Sequence, residues 1–508
     1  MTRSSADRRS WLISASIHAA VAAVSLTIIL TFLRSAPEDM VVVSLPAADV
    51  PRQIRVRDHQ PEVRPVDGSR PQAIEPNDYP APKPEPRDIE SAPVQESLLS
   101  PLPARSTRTS FVVGQCAVSR HFAGRRDQKI ERLKQGGGDE RTETAVRLSL
   151  SWLARHQNGD GSWSAREHVG QCGKIAGRCD PVTGEEGFNV GLTGLALLAF
   201  LGAGYTHLSK DVFDGICYGD VVRSGIRYLE KIQEPSGKIS PDVRKWMYNH
   251  LLASFALSEA YGLTGSEVLR PAAQRAALYT DDAQNRVRHT STDIPTGEPR
   301  LAWRYSHRCG DNDSSVSGFG AQAIQSAKVA GLHYTSEARA GVLRWYDEVM
   351  DDYYRIGYTD KRQGKMVIPG VNEHFDDHPA RTAIGNLARI FLQREDDGRI
   401  KGGAGVVSTD LPEWDAKGVK VDFYYWYYGS YFLFLFDGPD GSRWRAWNDR
   451  LKAAVLERQN LKPDECRYGS WEPVDRWNHD GGRVYVTAMG ALILEVYYRY
   501  PAALHPYK

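Results

Sequence analysis

The segment "NEHFDDHP" gathers Glu373, His374, Asp376, Asp377 and His378. His374 and His378 stand four apart, so on a helix they would share a face and could ligate a metal. Pro379 argues against that helix. It disfavours helix in the residue before it and suits the first position of a helix that follows. The segment reads as a polar loop leading into a helix, and no metal is expected there. Six cysteines, Cys116, Cys172, Cys179, Cys217, Cys309 and Cys466, include no Cys-x-x-Cys pair. Neither a zinc ribbon nor a dithiol redox motif is expected, and the expected set of metals and cofactors is none. Cys172 and Cys179 bracket a short glycine-containing loop and could close a small disulfide ring in an oxidising compartment. In "GDNDSSVSG", Asp311 and Asp313 flank Asn312. Asp-Ser-Ser suits a helix N-terminus, so Asp313 is expected to cap a helix beginning near Val316.

The elements that must position these groups are helical. "WLARHQNGDGSW" (152–163) ends a helical run in two glycines and a tryptophan. Its skeleton, Gln157, three residues, Gly161-Ser162-Trp163, returns as Gln233…Gly237-Lys238-Ile239. Looser copies pair Gln284 with Trp303 and Gln459 with Gly469-Ser470-Trp471. Gly159 is expected to supply the left-handed residue that ends the first helix. The glutamine would satisfy free groups at a neighbouring helix end, and the tryptophan would cover that bond. Each copy is followed by a second, apolar helix, and six such helices occur in all: 187–204, 247–265, 313–331, 378–395, 422–436 and 483–500. Six second helices predict six helical hairpins over residues 110–508. No comparable set of alternating strands is visible.

The N-terminal part has another composition. Trp11 to Leu33 carries no charge except a possible one on His18. As a helix it is about 34 Å long, enough to cross a bilayer. Arg3, Arg8 and Arg9 precede it, which predicts residues 1–10 in the cytoplasm and the rest beyond the inner membrane. Fourteen of the 28 prolines lie between Pro37 and Pro103, so residues 34–109 read as an extended tether. The net charge of +1 leaves no basic excess for phosphates, and nucleic acid is not an expected partner.

Several stretches carry resemblances. Ser14 and His18 in "SASIH", with "MVVVSLPAADVP" and the proline-rich run behind them, resemble the N-terminus of TonB-type energy transducers. That likeness implies contact of Ser14 and His18 with proton-channel partner proteins. Gln157…Gly161-x-Trp163 resembles the QW motif of squalene-type terpene cyclases. "MYNHLLASFALSEAYGLTG", "WRYSHRCGDNDSSVSGFGAQAIQSAKVAGL", "DFYYWYYGSYFLFLF" and "GSWEPVDRWNHDGGRVYVTAMGALILEVYYRY" are similar to membrane-anchored prenyltransferase/squalene-oxidase-repeat proteins of planctomycete type. The implied fold is an all-α toroid, an α6/α6 barrel of six hairpins, behind one membrane helix and a linker. It implies no particular reaction.

Chemistry implied by these families is then tested on the residues present. Cyclases protonate an alkene with an Asp of Asp-x-Asp-Asp-Thr-Ala, which makes Asp311 and Asp313 the candidate acids. One register puts Asn312 at the acid position; the other loses the third Asp to Ser314. Prenyltransferases hold zinc with a His in a segment like Asp-Phe-Tyr-His, where this chain has Asp422-Phe423-Tyr424-Tyr425. Complement-type thioester domains need Cys-Gly-Glu-Gln, and "QCGK" (171–174) lacks the last two. Aromatics so dense on "DFYYWYYGSYFLFLF" cover every face of a helix, so it is expected to be buried on all sides with some rings facing the lumen, which makes Tyr424, Tyr425 and Tyr428 candidate ligand contacts. Trp303, Tyr305 and Phe319 could line the same mouth by analogy with the cyclases. The expected function is a membrane-anchored, periplasmic binding module for an isoprenoid, lipid-like or protein ligand. The alternative is a cyclase or prenyl-transferring enzyme.

Overall fold

The computed structural model describes residues 122–500, apart from 123, 127, 174–175, 181, 287–300, 362–377, 393–397 and 416–419. The segment 11–33 with Ser14 and His18, the tether, Cys116, and Glu373, His374, Asp376 and Asp377 lie outside the described residues. Among the described residues no helix is long and apolar enough to cross a membrane.

Fourteen α-helices carry the fold within those residues. Six form an outer set: α2 (Glu140–Arg155), α4 (Tyr218–Ile232), α6 (Arg270–Asp282), α8 (Ser336–Glu348), α10 (Gly398–Val407) and α12 (Ser442–Leu456). Six alternate with them as an inner set: α3 (Asn189–Gly202), α5 (Met247–Thr264), α7 (Ser314–Val329), α9 (Ala380–Leu392), α11 (Phe423–Asp437) and α13 (Asn478–Leu494). Short helices α1 (Lys129–Gln135) and α14 (Val496–Arg499) flank the series. A tight hairpin, β1 (Val212–Phe213) with β2 (Ile216–Cys217), precedes α4.

The inner helices are the ones the sequence marks as apolar, and most of their residues are buried. All residues of α11 from Phe423 to Leu435 are buried, as are all of α3 from Val190 to Gly202. A helix apolar all round must be covered on every side. The packing does this with a ring: α3 lies on α5, α5 on α7, α7 on α9, α9 on α11, α11 on α13, and α13 on α3. The toroid therefore closes. Gly194 lets α3 approach α5 to backbone contact, since a Cβ there would stand 2.8 Å from the Leu252 carbonyl oxygen. Outer helices α6, α8 and α10 each lie against two consecutive inner helices.

The repeated motif fastens one outer helix to the next. Gln157 donates through Nε2 to the carbonyls of Gly161 (2.9 Å), in its own turn, and Val221 (3.0 Å), in the first turn of α4. Gln233 does the same with Gly237 and with Ala272 of α6, and Gln284 with Leu301 and with Ala338 of α8. Gln459 donates to Gly469 and to Ala145 of α2, so the fourth copy joins the end of the ring to its beginning. The acceptor on the neighbouring outer helix is each time a carbonyl near that helix's start. The tryptophans serve carbonyls in the last turn of the preceding helix. The indole N–H of Trp163 donates to Leu153 in the last turn of α2 (2.8 Å), that of Trp303 to Thr280 of α6 (2.9 Å), and that of Trp471 to Val455 of α12 (2.8 Å). Gly161, at φ +92°, is the left-handed residue, not Gly159. Its missing side chain lets the turn abut α4, where a Cβ would lie 2.2 Å from the Ser224 carbonyl oxygen.

One end of the ring is plugged. Arg125 makes a two-pronged pair with Glu259 of α5 (2.7 and 2.9 Å), and Arg499 bonds Glu259 (2.8 Å) and Glu495 (2.9 Å). Arg499 also caps Leu198 of α3 at 3.0 Å. All four side chains are fully buried and bonded together, and burial pushes the Glu495 carboxyl up to about 8.

Replacing Trp163 by Ala removes a fully buried indole and a helix cap, and is expected to cost about 3–5 kcal/mol. Gln157→Leu leaves two carbonyls without their donor and is expected to cost about 1–3 kcal/mol. Both act at the α2–α4 junction, so the double variant should cost less than the sum. Denaturant unfolding followed by far-ultraviolet circular dichroism checks all three.

Candidate ligand-binding site

At the opposite end of the ring the first turns of α3, α5, α7, α11 and α13 surround a pocket. Its cavity volume is about 120 Å³, smaller than the usual small-molecule site. Its wall is a run of rings in mutual contact. Tyr305 meets Tyr248 (centroids 6.4 Å apart), Tyr248 meets Phe319 (6.1 Å), Phe319 meets Tyr424 (5.9 Å), and Tyr424 meets Trp477 (5.9 Å). Phe188, Leu192, Leu195, Leu252 and Tyr485 complete the apolar surface, with Lys245, Asn249, Ser315 and Asp480 as its polar members.

Each wall residue is held by a local device. Asn249 accepts from the N–H of Gly191 (2.9 Å), satisfying a free donor at the start of α3, and donates to Gly187. Asp422 caps α11 through Tyr425 N (2.9 Å), which fixes Tyr424 at the mouth. Asp475 accepts from Phe423 N and Trp477 N, both at 2.6 Å, and so ties Trp477 to the same helix start. Burial, aided by the neighbouring Asp422, pushes the Asp475 carboxyl up to about 8. Burial also raises Asp422, against the pull of Arg476. His378, the described end of the acidic segment, lies 3.8 Å from Asp422, and burial pushes its imidazole well below the ordinary value. Pro379 immediately precedes α9, in line with its expected role as a helix opener.

Lys245 stands at the mouth with φ +60°, a left-handed conformation that a lysine seldom adopts. Its ammonium lies 5.5 Å from the Tyr305 ring centre. Partial burial lowers its pKa.

Three of the residues expected at a ligand, Tyr305, Phe319 and Tyr424, line the pocket. Trp303 does not: it is wholly buried and caps α6. Tyr425 points outward, its hydroxyl reaching the carbonyls of Val407 (3.0 Å) and Asp410 (2.8 Å). Tyr428 lies behind Phe319, its hydroxyl accepting from Gln322 Nε2 (3.0 Å), outside the lining. Sequence reasoning missed Tyr248, Tyr358, Trp477 and Tyr485. A tyrosine at the second position of "MYNHLL" was the one available signal.

The two candidate acids are not in the lining either. Asp313 is fully buried and caps α7, accepting from Val316 N at 2.7 Å, as its Asp-Ser-Ser context predicts. Between its carboxylate and the cavity stands Tyr358, whose hydroxyl is 3.4 Å from Asp313 Oδ2 and bonds the hydroxyl of Tyr305. Burial pushes the Asp313 carboxyl up to about 6. Asp311 is partly exposed and paired with Arg304, whose Nε stands 4.0 Å from Asp313. The Arg304 guanidinium pulls the Asp313 carboxyl down, against the larger effect of burial. The described cysteines are free thiols, so the Cys172–Cys179 ring is not formed.

No protein-family profile and no curated protein matches the chain. Solved structures similar to it include the α-1,6-mannanase GH76A of Salegentibacter sp. HEL1_6, 13% identical over 72% of this chain and 100% of that one, at TM-score 0.47. Another is the type II terpene cyclase MstE from Scytonema, 14% identical over 70% of this chain and 98% of its own, at TM-score 0.42. An alpha-amylase from Clostridium perfringens is 13% identical over 70% of this chain and 98% of its own, at TM-score 0.44. Likenesses this distant carry nothing about chemistry.

The folded Asp313 holds its proton to higher pH than an ordinary carboxyl near 4. Its stabilising contribution is thus fully present below about pH 4 and is lost as pH rises to about 6. Asp313→Asn keeps a capping side chain and cannot titrate. The stability of the native chain minus that of Asp313→Asn should fall by about 2–3 kcal/mol between pH 4 and 7, measured by denaturant unfolding at each pH.

Proposed function

We propose that the ring is a binding domain for an elongated apolar ligand of the isoprenoid or lipid class, with a polar head at Lys245 and Asp480. The observation that carries this reading is the continuous aromatic wall at one mouth, with the candidate acid Asp313 kept behind Tyr358. Aromatic and aliphatic walls with a few polar groups favour burial of an apolar tail and leave its head in water. The buried ionic cluster lies away from this pocket and contributes nothing to its lining. Residues 11–33 would anchor the chain in the inner membrane with the ring in the periplasm. Ser14 and His18 would face proton-channel proteins of TonB type, and residues 34–109 would give the ring its reach.

The rival reading is acid catalysis on an isoprenoid, and one observation favours it. Asp313, Tyr358 and Tyr305 form a chain from a buried carboxyl to the pocket wall, a route by which a proton could move. Turnover of labelled squalene or prenyl diphosphates that disappears in Asp313→Asn would replace the binding reading with this one. Unaltered substrate with both proteins supports binding alone.

Ser315 faces the cavity, and its carbonyl, not its side chain, holds the Tyr424 hydroxyl. Ser315→Trp should fill the pocket and weaken binding of squalene or a long prenyl alcohol at least about tenfold, the loss expected when an apolar contact site is occupied. The melting temperature should stay near that of the native chain. Separately, His18→Leu should abolish co-purification with a membrane proton-channel complex while leaving membrane insertion intact. Unchanged co-purification would remove the TonB part of the proposal.

A further inference from the structure

Away from the pocket, four side chains converge where the first and last hairpins meet. His156 follows the last residue of α2. Cys172 and Cys179 lie in the loop that comes next, and Cys466 lies between α12 and α13, 310 residues from His156. The ligand-type atoms of all four lie within 4.8 Å of one another. Nε2 of His156 is 3.8 Å from Cys172 Sγ, 3.4 Å from Cys179 Sγ and 3.3 Å from Cys466 Sγ. A tetrahedral zinc with Zn–S of about 2.3 Å and Zn–N of about 2.0 Å would set N···S edges near 3.5 Å.

The imidazole is oriented for such a role. Its Nδ1 lies 2.8 Å from the Trp152 carbonyl oxygen. A carbonyl only accepts, so Nδ1 carries the hydrogen and Nε2 presents a bare lone pair to the sulfurs. Trp152 stacks on the ring at 4.2 Å and 18°. Three sulfurs thus crowd around one lone pair. A cation would be held by three thiolates and the imidazole at once.

We infer that His156, Cys172, Cys179 and Cys466 form a structural zinc site that locks the closed ring. The set has three sulfurs and one nitrogen, no carboxylate, and no member in the pocket lining. All four residues are buried, which leaves no open position for a substrate. Soft thiolates favour zinc over the oxygen-seeking cations. The site also joins segments that are otherwise held by few backbone bonds, such as Cys466 N to the Ala176 carbonyl (2.9 Å). Arg483 reinforces the junction through the Trp471 carbonyl (3.0 Å) and the Asp180 carbonyl (3.4 Å).

The test uses the full chain, purified without a histidine tag from zinc-supplemented cells and analysed by mass spectrometry of the metals. About one zinc per chain is expected, with a loss of at least about tenfold in Cys466→Ser. Cys217→Ser, whose thiol faces the Ser209 carbonyl instead, should keep the metal. Should Cys466→Ser fail to fold, cobalt exchange on the native chain gives the answer independently. The tetrahedral visible bands and thiolate charge transfer of cobalt support the site. Three results overturn it: a native chain with under about a tenth of a zinc, another metal in stoichiometric amount, or a mapped disulfide between two of the three cysteines.

Discussion

Inner helices buried on nearly every side set the terms for this molecule. Most residues of α3, α5, α7, α9, α11 and α13 are buried, and water must be kept from them. A closed ring with a second layer outside is a solution in which every helix has two inner neighbours and outer cover. The outer helices need only one apolar face and can carry charge on the other. Because the hairpins run the same way, the inner helices all begin at one end. Their free N–H groups therefore gather at the pocket mouth, and their carbonyl ends gather at the plug.

Ring closure creates repeated joints, and polar atoms at a joint must be satisfied. The glutamine and tryptophan of the repeat divide that task. One amide bridges a turn to the next outer helix, and one indole caps the previous helix, so the joint is fixed by three directional bonds. The second copy has Ile239 where an indole would stand, and retains the glutamine bridge. The bridge is thus the shared feature and the indole an addition.

The same residue types serve structure in one place and ligand contact in another. Asp313 has the chemistry of an acid, but its carboxylate is engaged by a backbone N–H and screened by a tyrosine. The tyrosines of α11 divide by helical angle. Tyr424 opens on the pocket, Tyr425 faces the outer layer, and Tyr427 and Tyr428 meet Gln322 within the ring. Dense aromatics on an inner helix are mainly core, and only those in the first turns reach the cavity.

The sequence by itself determined the number and order of the hairpins, because apolar runs of helical length and the Gln…Gly-x-Trp spacing are local signals. It also determined the cap at Asp313, since capping depends on residues three apart. Tertiary structure alone decided which aromatics line the pocket. A helix buried on all sides carries no amphipathic stripe, so its sequence does not say which direction faces the cavity. It decided that Gly161 and not Gly159 takes the left-handed turn, since the reason is the backbone of α4 pressed against it. The meeting of His156 and two nearby cysteines with Cys466 is likewise a product of ring closure. Residues 310 positions apart have no spacing to read, and only the return of the last hairpin to the first brings them within a few ångströms.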